Sequence, residues 1–374
     1  MTKLEFLNEL RNRLSGLSEE DIERSLSFYS EAIEDRIEDG MSEEDAVYEM
    51  GPIDRAADAV RSDMPDKDAK QAFRTFSPGP DSVRITDAFR HISVEDKSCD
   101  IEFLVSDGGC SVECIDCGSV RHDIFVENDT LVIRAHDERR WFELIRTNRR
   151  EMRVAVYIPA TGYESLTVST ASGNISVPTG FEFRSCGLRS SSGDINWDSY
   201  VEEVFKLNTM SGDIRARVSG PCSFTAESLS GDIRILGVNG AAEVSVSSKS
   251  GDVSAENVDC TEFGIYSLSG DVGLANISCK TAGLRSVSGD VSANKLIAEE
   301  LLSAESVSGD VRLSFCDGGT LKLKTVSGDI DAKLESGKHF SASTVSGSLR
   351  IPQSGEGGEC TITTVSGNAR ITVK

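Results

Sequence analysis

A tripeptide, Ser-Gly-Asp or a close variant, recurs through the second half of the chain at a spacing that leaves few architectures open. Its glycines are Gly173, Gly193, Gly212, Gly231, Gly251, Gly270, Gly289, Gly309, Gly328, Gly347 and Gly367, and every interval is 19 or 20 residues. A fixed short period over many copies marks a solenoid, in which each unit buries its face only against its neighbours. The unit from Leu321 to Leu334 alternates apolar and polar residues on both sides of the tripeptide, which is the period of a β-strand. A 19-residue unit accommodates two such strands and two turns. Glycine is read as supplying a positive φ at the turn, and the following Asp as a turn cap through its carboxylate. Stacked as parallel strands about 4.8 Å apart, residues 171–374 are predicted to form a parallel β-solenoid of about eleven coils, so the chain is mainly β.

Aligning the copies on glycine produces columns. Three positions before it every copy has Ser or Thr, from Thr170 to Thr364, and one position before it every copy has Ser. Strand alternation places both hydroxyl columns on the core face, as hydrogen-bonding ladders under the turn. The aspartates Asp194, Asp213, Asp232, Asp252, Asp271, Asp290, Asp310 and Asp329 follow the glycine. A carboxylate column raises the question of Ca²⁺, but calcium-binding β-rolls use a nine-residue repeat that this chain lacks. Asn174, Ser348 and Asn368 at the same position can cap a turn as Asp does, so the column is read as structural, without metal. Between the hydroxyl columns, Leu268, Val287, Val307, Val326, Val345 and Val365 form an apolar stripe directed outward. Such a stripe is a candidate interaction surface, is covered by another part of the chain, or curls inward at the turn.

The first 64 residues have a different, helical pattern. Thr2 with Glu5, Ser18 with Asp21 and Ser42 with Asp45 each set a hydroxyl three residues before a carboxylate, the arrangement that satisfies orphan N–H groups at a helix start. Leu4, Leu7, Leu10 and Leu14 keep helical spacing, as do Ile22, Leu26, Tyr29, Ile33 and Ile37, and a short fourth helix is expected from Pro52. Residues 65–80, ending Ser77-Pro-Gly-Pro80, read as a linker. The helical module carries 18 acidic and 7 basic side chains, and the whole chain has net charge −23. That field repels phosphate backbones and anionic lipid, which argues against direct nucleic-acid binding.

Residues 81–170 lack the tripeptide but alternate, and are read as irregular strands capping the solenoid. A basic and aromatic run, Arg139-Arg-Trp-Phe142 with Arg146, Arg149 and Arg150, interrupts them and is read as a protein or intramolecular contact. Cys110, Cys114, Cys117 and His122 supply enough ligands for a tetrahedral zinc site, but their spacing matches no finger, and Cys114 and Cys117 would face opposite ways on a strand. Cys260 and Cys279, each nine residues after a repeat glycine, are expected to stack in the core. The four histidines are scattered, and neither a phosphate-binding loop nor a nucleophile elbow is present. The expectation is a protein without catalytic residues or cofactors.

The run Glu5-Phe-Leu-Asn-Glu-Leu10, the Leu14-Ser-Gly-Leu-Ser-Glu-Glu20 turn, the stretch from Tyr29 to Asp39 and Met50-Gly-Pro52 resemble the HAAS domain, a helix-turn-helix-associated α-helical signalling domain of bacteria. That resemblance implies a docking module for a PadR-like transcriptional regulator. The Ser-Gly-Asp units, with Asn128-Asp-Thr-Leu-Val-Ile133 and Val154-Ala-Val-Tyr-Ile-Pro159 before them, resemble the bacterial putative-adhesin family of β-strand-repeat proteins over about residues 81–374. Apolar stretches are far shorter than the ~20 residues of a membrane span, and the N-terminus has no export-signal pattern. The expected location is therefore the cytoplasm, with the cell envelope as the alternative the adhesin resemblance leaves open. The final coil, ending Ala369-Arg-Ile-Thr-Val-Lys374, is expected to expose strand edges that pair with a second copy or are shielded.

Overall fold

A computed structural model describes residues 2–14, scattered positions between 22 and 47, and residues 82–115, 117, 120–137 and 152–374. The chain divides into two compact units, Met1–Ala72 and Phe73–Lys374.

In the first unit, helix Lys3–Arg13 opens with the capping box that its sequence predicts. The Glu5 N–H donates to the Thr2 hydroxyl at 3.2 Å, and the Thr2 N–H donates to the Glu5 carboxylate at 2.9 Å. Phe6, Leu10 and Leu14 from this helix are buried with Ile22, Ile33 and Val47, and Leu26, Tyr29 and Ile37 pack around them. Ser18, the helix expected from Pro52, the 65–80 linker and the basic run from Arg139 to Arg150 lie outside the described residues.

The second unit is a parallel β-solenoid of about ten turns. Each coil winds through more corners than the two expected. In the coil after Gly251, Val253 and Ala255, then Val258 and Cys260, then Phe263, Ile265 and Ser267 face inward, so the alternation slips at Glu256-Asn257 and again at Thr261-Glu262. The first slip recurs at left-handed residues one above another, Asn257, Asn276, Lys295 and Phe315, with φ between 55° and 56°. Asn tolerates that conformation at little expense, and the Asn276 amide donates to Asn257 at 3.1 Å. The scarce aromatics collect at the N-terminal end of the core, where Tyr163, Phe183, Trp197, Phe205 and Phe224 pack ring against ring.

The repeat glycines are required for a reason other than φ. Of these eleven, only Gly270 has a positive φ, at 158°, close to extended backbone. The constraint is the neighbouring coil: a Cβ on Gly193 would sit 1.9 Å from the Gly173 carbonyl oxygen, and one on Gly212 2.0 Å from that of Gly193. Glycine is there because backbone meets backbone. The Ser/Thr column three positions earlier closes the same corner. The Ser190 hydroxyl accepts the Gly193 N–H at 2.8 Å and donates to the Gly173 carbonyl of the coil before at 3.3 Å. This column is buried almost throughout, but the serines immediately before glycine are exposed, because the corner interrupts strand alternation. One hydroxyl ladder lines the core, not two.

Both ends depart from simple stacking. At the start, strands His91–Glu95 and Asp100–Val105 form a coil whose members pair with Gly162–Thr170 and Ile175–Val177. Around it, Cys110–Ile115 runs antiparallel to Arg153–Ile158, and Val120–Glu127 and Thr130–Asp137 form an antiparallel hairpin turned by Asn128 and Asp129 at positive φ. At the far end the coils are out of sequence order. Ile330–Leu334 pairs with Ala369–Val373, which in turn pairs with Leu349–Arg350; Leu321–Lys324 likewise pairs with Cys360–Thr363, which pairs with His339–Ser343. The last stretch of chain is inserted between two earlier ones. Glycines make the insertion possible at the opposite corner, where a Cβ on Gly358 would lie 1.6 Å from the Gly319 carbonyl and one on Gly357 2.2 Å from that of Gly337. The terminal edge is consequently formed by His339–Ser343 and Leu349–Arg350, and the C-terminal strand expected there is internal.

Candidate interaction surface and a buried thiol–histidine cluster

The tripeptide aspartates form a continuous ladder. The Asp194 carboxylate accepts the Asp213 N–H at 2.9 Å, Asp213 accepts that of Asp232 at 3.0 Å, and the same bond recurs through Asp252, Asp271, Asp290, Asp310 and Asp329. It begins before the tripeptides, with Asp100 accepting the Asn174 N–H at 2.7 Å, and ends beyond Asp329 at Asn368 and then Ser348. Each carboxylate thus holds the next coil at its corner, and Asn accepts the same bond.

The apolar stripe lies on the outside of the solenoid and does not curl inward. Leu268 is 42% exposed, Val365 44% and Val345 83%; Val307 and Val326 are similar to Leu268, and Val287 is half-buried. Met210 and Leu229 occupy the same column and are exposed too, so the stripe extends toward the N-terminal coils, interrupted by Lys249. Both residues stand two positions before a repeat glycine, so the stripe is longer than the run from Leu268 to Val365. Among the described residues, shallow hollows flank the coils. One of about 250 Å³ lies by Trp197, Asp198, Arg215 and Arg217, and one of about 300 Å³ by Asp329, Arg350 and Arg370; no His or Cys lines either.

Cys260 and Cys279 are buried in the core, where burial pushes their thiols up to about 12 and about 11. The N-terminal cysteines are placed differently. Strand Cys110–Ile115 ends before Cys117, so the alternation that would oppose Cys114 and Cys117 no longer applies, and the two thiols approach each other beside His122. The partner that joins them is Cys99, whose Sγ lies 3.6 Å from that of Cys117. Cys110, the fourth member of the sequence set, belongs to neither group of clustered ligand atoms, Cys114–Cys117–His122 or Asp96–Cys99–His122. The His122 Nε2 lies 2.7 Å from Asp96, both side chains 1% exposed, and its Nδ1 is buried with no hydrogen-bond partner. Hydrogen bonds from the Cys114 and Cys99 thiols, helped by His122, hold Cys117 below the usual thiol range against its burial. Burial acts most strongly on Asp96 and pushes it up, but hydrogen bonds from His122 and from the N–H groups of Cys99 and Ser98 together hold it below the usual carboxylate range.

Cys99 stands where other coils have glycine, so the tripeptide pattern does not pick it out. A Cβ on Gly173 would meet the Cys99 carbonyl oxygen at 1.8 Å, as each later glycine meets its predecessor. The Asp96 carboxylate accepts the Cys99 N–H at 2.7 Å, as the Thr170 hydroxyl accepts that of Gly173 at 3.1 Å. The segment Asp96-Lys-Ser-Cys-Asp-Ile101 is a further copy of the repeat with Asp for the hydroxyl and Cys for the glycine.

Among the described residues no helix is long and apolar enough to cross a membrane. No curated protein matches the chain. It is similar to a solved structure from Parabacteroides distasonis described as a putative lipid binding protein, at 16% identity over 67% of this chain and 95% of that one, with a TM-score of 0.34. A putative adhesin from Parabacteroides merdae is similar at 12% identity over 78% and 94%, with a TM-score of 0.27. A HAAS model matches residues 5–59, and a Toastrack DUF4097 model matches residues 89–242 and 222–320; both are non-catalytic kinds of domain. The two Toastrack matches together run over more than half of the chain, which therefore belongs to the Toastrack DUF4097 family and carries a HAAS domain at its N-terminus.

Proposed function

We propose that the chain is a non-enzymatic signalling scaffold, in which the HAAS domain docks a PadR-like regulator or another protein and the solenoid presents its apolar column to a second protein partner. HAAS domains in general pair with PadR-like regulators. With 18 acidic against 7 basic residues in its first 64, the module is complementary in charge to a basic partner surface. The observation that carries the solenoid half is the stripe itself. Leu268, Val307, Val326, Val365 and Val345 stand exposed on one outer line, and apolar surface of that continuity is a marker of protein contact. The ten cysteines are all free thiols, which fits a reducing compartment, the cytoplasm.

The test is affinity capture from the native host with three baits: the full-length chain, residues 73–374 alone, and a full-length Val307→Lys/Val326→Lys variant. The reading expects a PadR-like regulator on the full-length bait and on the Lys variant but not on residues 73–374, and a second partner that the Lys variant loses. Envelope components on all three baits would replace it with the adhesin-like structural role.

A further inference from the structure

We propose that Cys99, Cys114, Cys117 and His122 form a structural zinc site that closes the N-terminal end of the solenoid. The four ligand groups come from three segments: the first coil's corner, the end of strand Cys110–Ile115, and strand Val120–Glu127. Cys114 and Cys117 have the two-residue spacing common in structural zinc sites, and a Cys₃His set completes a tetrahedron. With Zn–S near 2.3 Å, two thiolates on one tetrahedral ion lie about 3.75 Å apart. Cys99 and Cys117 already stand at 3.6 Å.

The imidazole supplies the second, independent observation. Asp96 accepts from Nε2–H at 2.7 Å, so in the neutral ring the lone pair is on Nδ1, and that atom is buried without a hydrogen-bond partner. A carboxylate behind a histidine, fixing its tautomer and turning the other nitrogen toward a metal, is a recurring support in zinc sites. Nδ1 is one of the two ring atoms that bind zinc as neutral imidazole.

The repeat explains why the site can exist only here. In later coils a side chain at the glycine position would strike the preceding coil's carbonyl, at about 2 Å from Cβ. The coil of Cys99 stacks not on another repeat coil but on the strands Thr130–Asp137 and Arg153–Ile158, so no repeat glycine lies beneath its corner, which can carry a thiol. Asp96 takes over the hydroxyl's bond to the following corner N–H with one carboxylate oxygen and holds His122 with the other. Zinc binding forms three Zn–S bonds and one Zn–N bond, with any remaining thiol protons released to solvent. The ion would tie the first coil's corner to two segments that the Asp and hydroxyl ladders do not reach.

The test uses the full-length chain, reduced and freed of metal, titrated anaerobically with Co²⁺ alone. The expected result is one Co²⁺ per chain, with the thiolate-to-cobalt charge-transfer band and the intense visible bands of tetrahedral coordination, all removed by one equivalent of Zn²⁺. Cys117→Ser and Cys99→Ser should each weaken binding at least tenfold, and Cys110→Ser should leave it unchanged. Should a Ser variant lose its β circular dichroism, the wild-type chain still reports: one equivalent of Zn²⁺ should protect Cys114 and Cys117 from alkylation. A reduced chain with no thiolate band at stoichiometric Co²⁺ would overturn the proposal. So would a Cys117→Ser chain that binds as tightly as wild type, or a Cys99–Cys117 disulfide in protein isolated anaerobically.

Discussion

At the residue scale the repeat's four signature positions do different physical work, and substitutions should separate them. Gly231→Ala puts a methyl 1.9 Å from the Gly212 carbonyl oxygen, a clash with backbone that no rotamer relieves. The expected loss is about 3 kcal/mol or more. Ser228→Ala leaves the buried Gly231 N–H without its acceptor at 2.8 Å, an expected loss of about 1–3 kcal/mol. Asp232→Asn keeps an acceptor for the Asp252 N–H, as Asn174 and Asn368 do in their own coils, and Ser230→Ala touches only an exposed hydroxyl; both should stay within about 0.5 kcal/mol. Denaturant unfolding of the four variants checks the ranking, and a Gly231→Ala chain as stable as wild type would refute the steric account. The columns themselves were legible in the sequence, because each requirement repeats and is visible by alignment alone. What each column is for was less so. The glycine reads as a φ requirement until the neighbouring coil is in place, and the coil at Cys99 is invisible to any search that insists on glycine. Three members of the thiol–histidine cluster, Cys114, Cys117 and His122, were legible as a ligand set; Cys99 was not, because it is disguised as a repeat position, and Cys110, taken in its place, is not among the clustered ligands.

At the element scale the parallel coil follows from period-two alternation, whereas its order at the C-terminal end does not. All eleven tripeptides keep the 19- or 20-residue interval, so spacing is equally consistent with either stacking order. The only local sign is the stretch Ile351-Pro-Gln-Ser-Gly-Glu-Gly-Gly358, where proline and three glycines replace an alternating strand. Register tells the two orders apart by cross-linking. Asp331 is directly paired with Arg370, and Arg370 with Arg350, and all three are exposed. Neighbouring strands are about 4.8 Å apart, within disulfide reach, while strands two steps apart are about 9.6 Å, beyond it. Oxidation should therefore link Asp331→Cys to Arg370→Cys, but not Asp331→Cys to Arg350→Cys, as read by peptide mapping under non-reducing conditions. The reverse result would restore sequence order.

For the whole molecule, a solenoid has no single core that all parts share, so its stability is a sum of coil and interface contributions and declines toward any uncapped end. Its two ends are unequal. The N-terminal coil is covered by the parallel strands Thr130–Asp137 and Arg153–Ile158, each paired in turn with an antiparallel strand, and the zinc site, if occupied, would brace it further. Among the described residues the C-terminal edge, His339–Ser343 and Leu349–Arg350, has strand neighbours on one side only, and Val345 beside it is the most exposed apolar residue of the stripe. Local opening should start there and travel inward. Amide exchange then has an order opposite to the one that chain position suggests. Residues 339–350 should exchange first and residues 359–373 more slowly, although the latter stand nearer the end of the chain, because they lie between two layers of strands. The long strands between Ile233 and Ser327, with full coils on both sides, should be slowest of all. Peptide-level hydrogen exchange of the monomer and of a concentrated sample reads both the order and the fate of the edge. If protection over 339–350 rises with concentration while the rest of the solenoid is unchanged, the exposed edge is where two copies pair. If it stays fast at every concentration, the edge does not pair with a second copy.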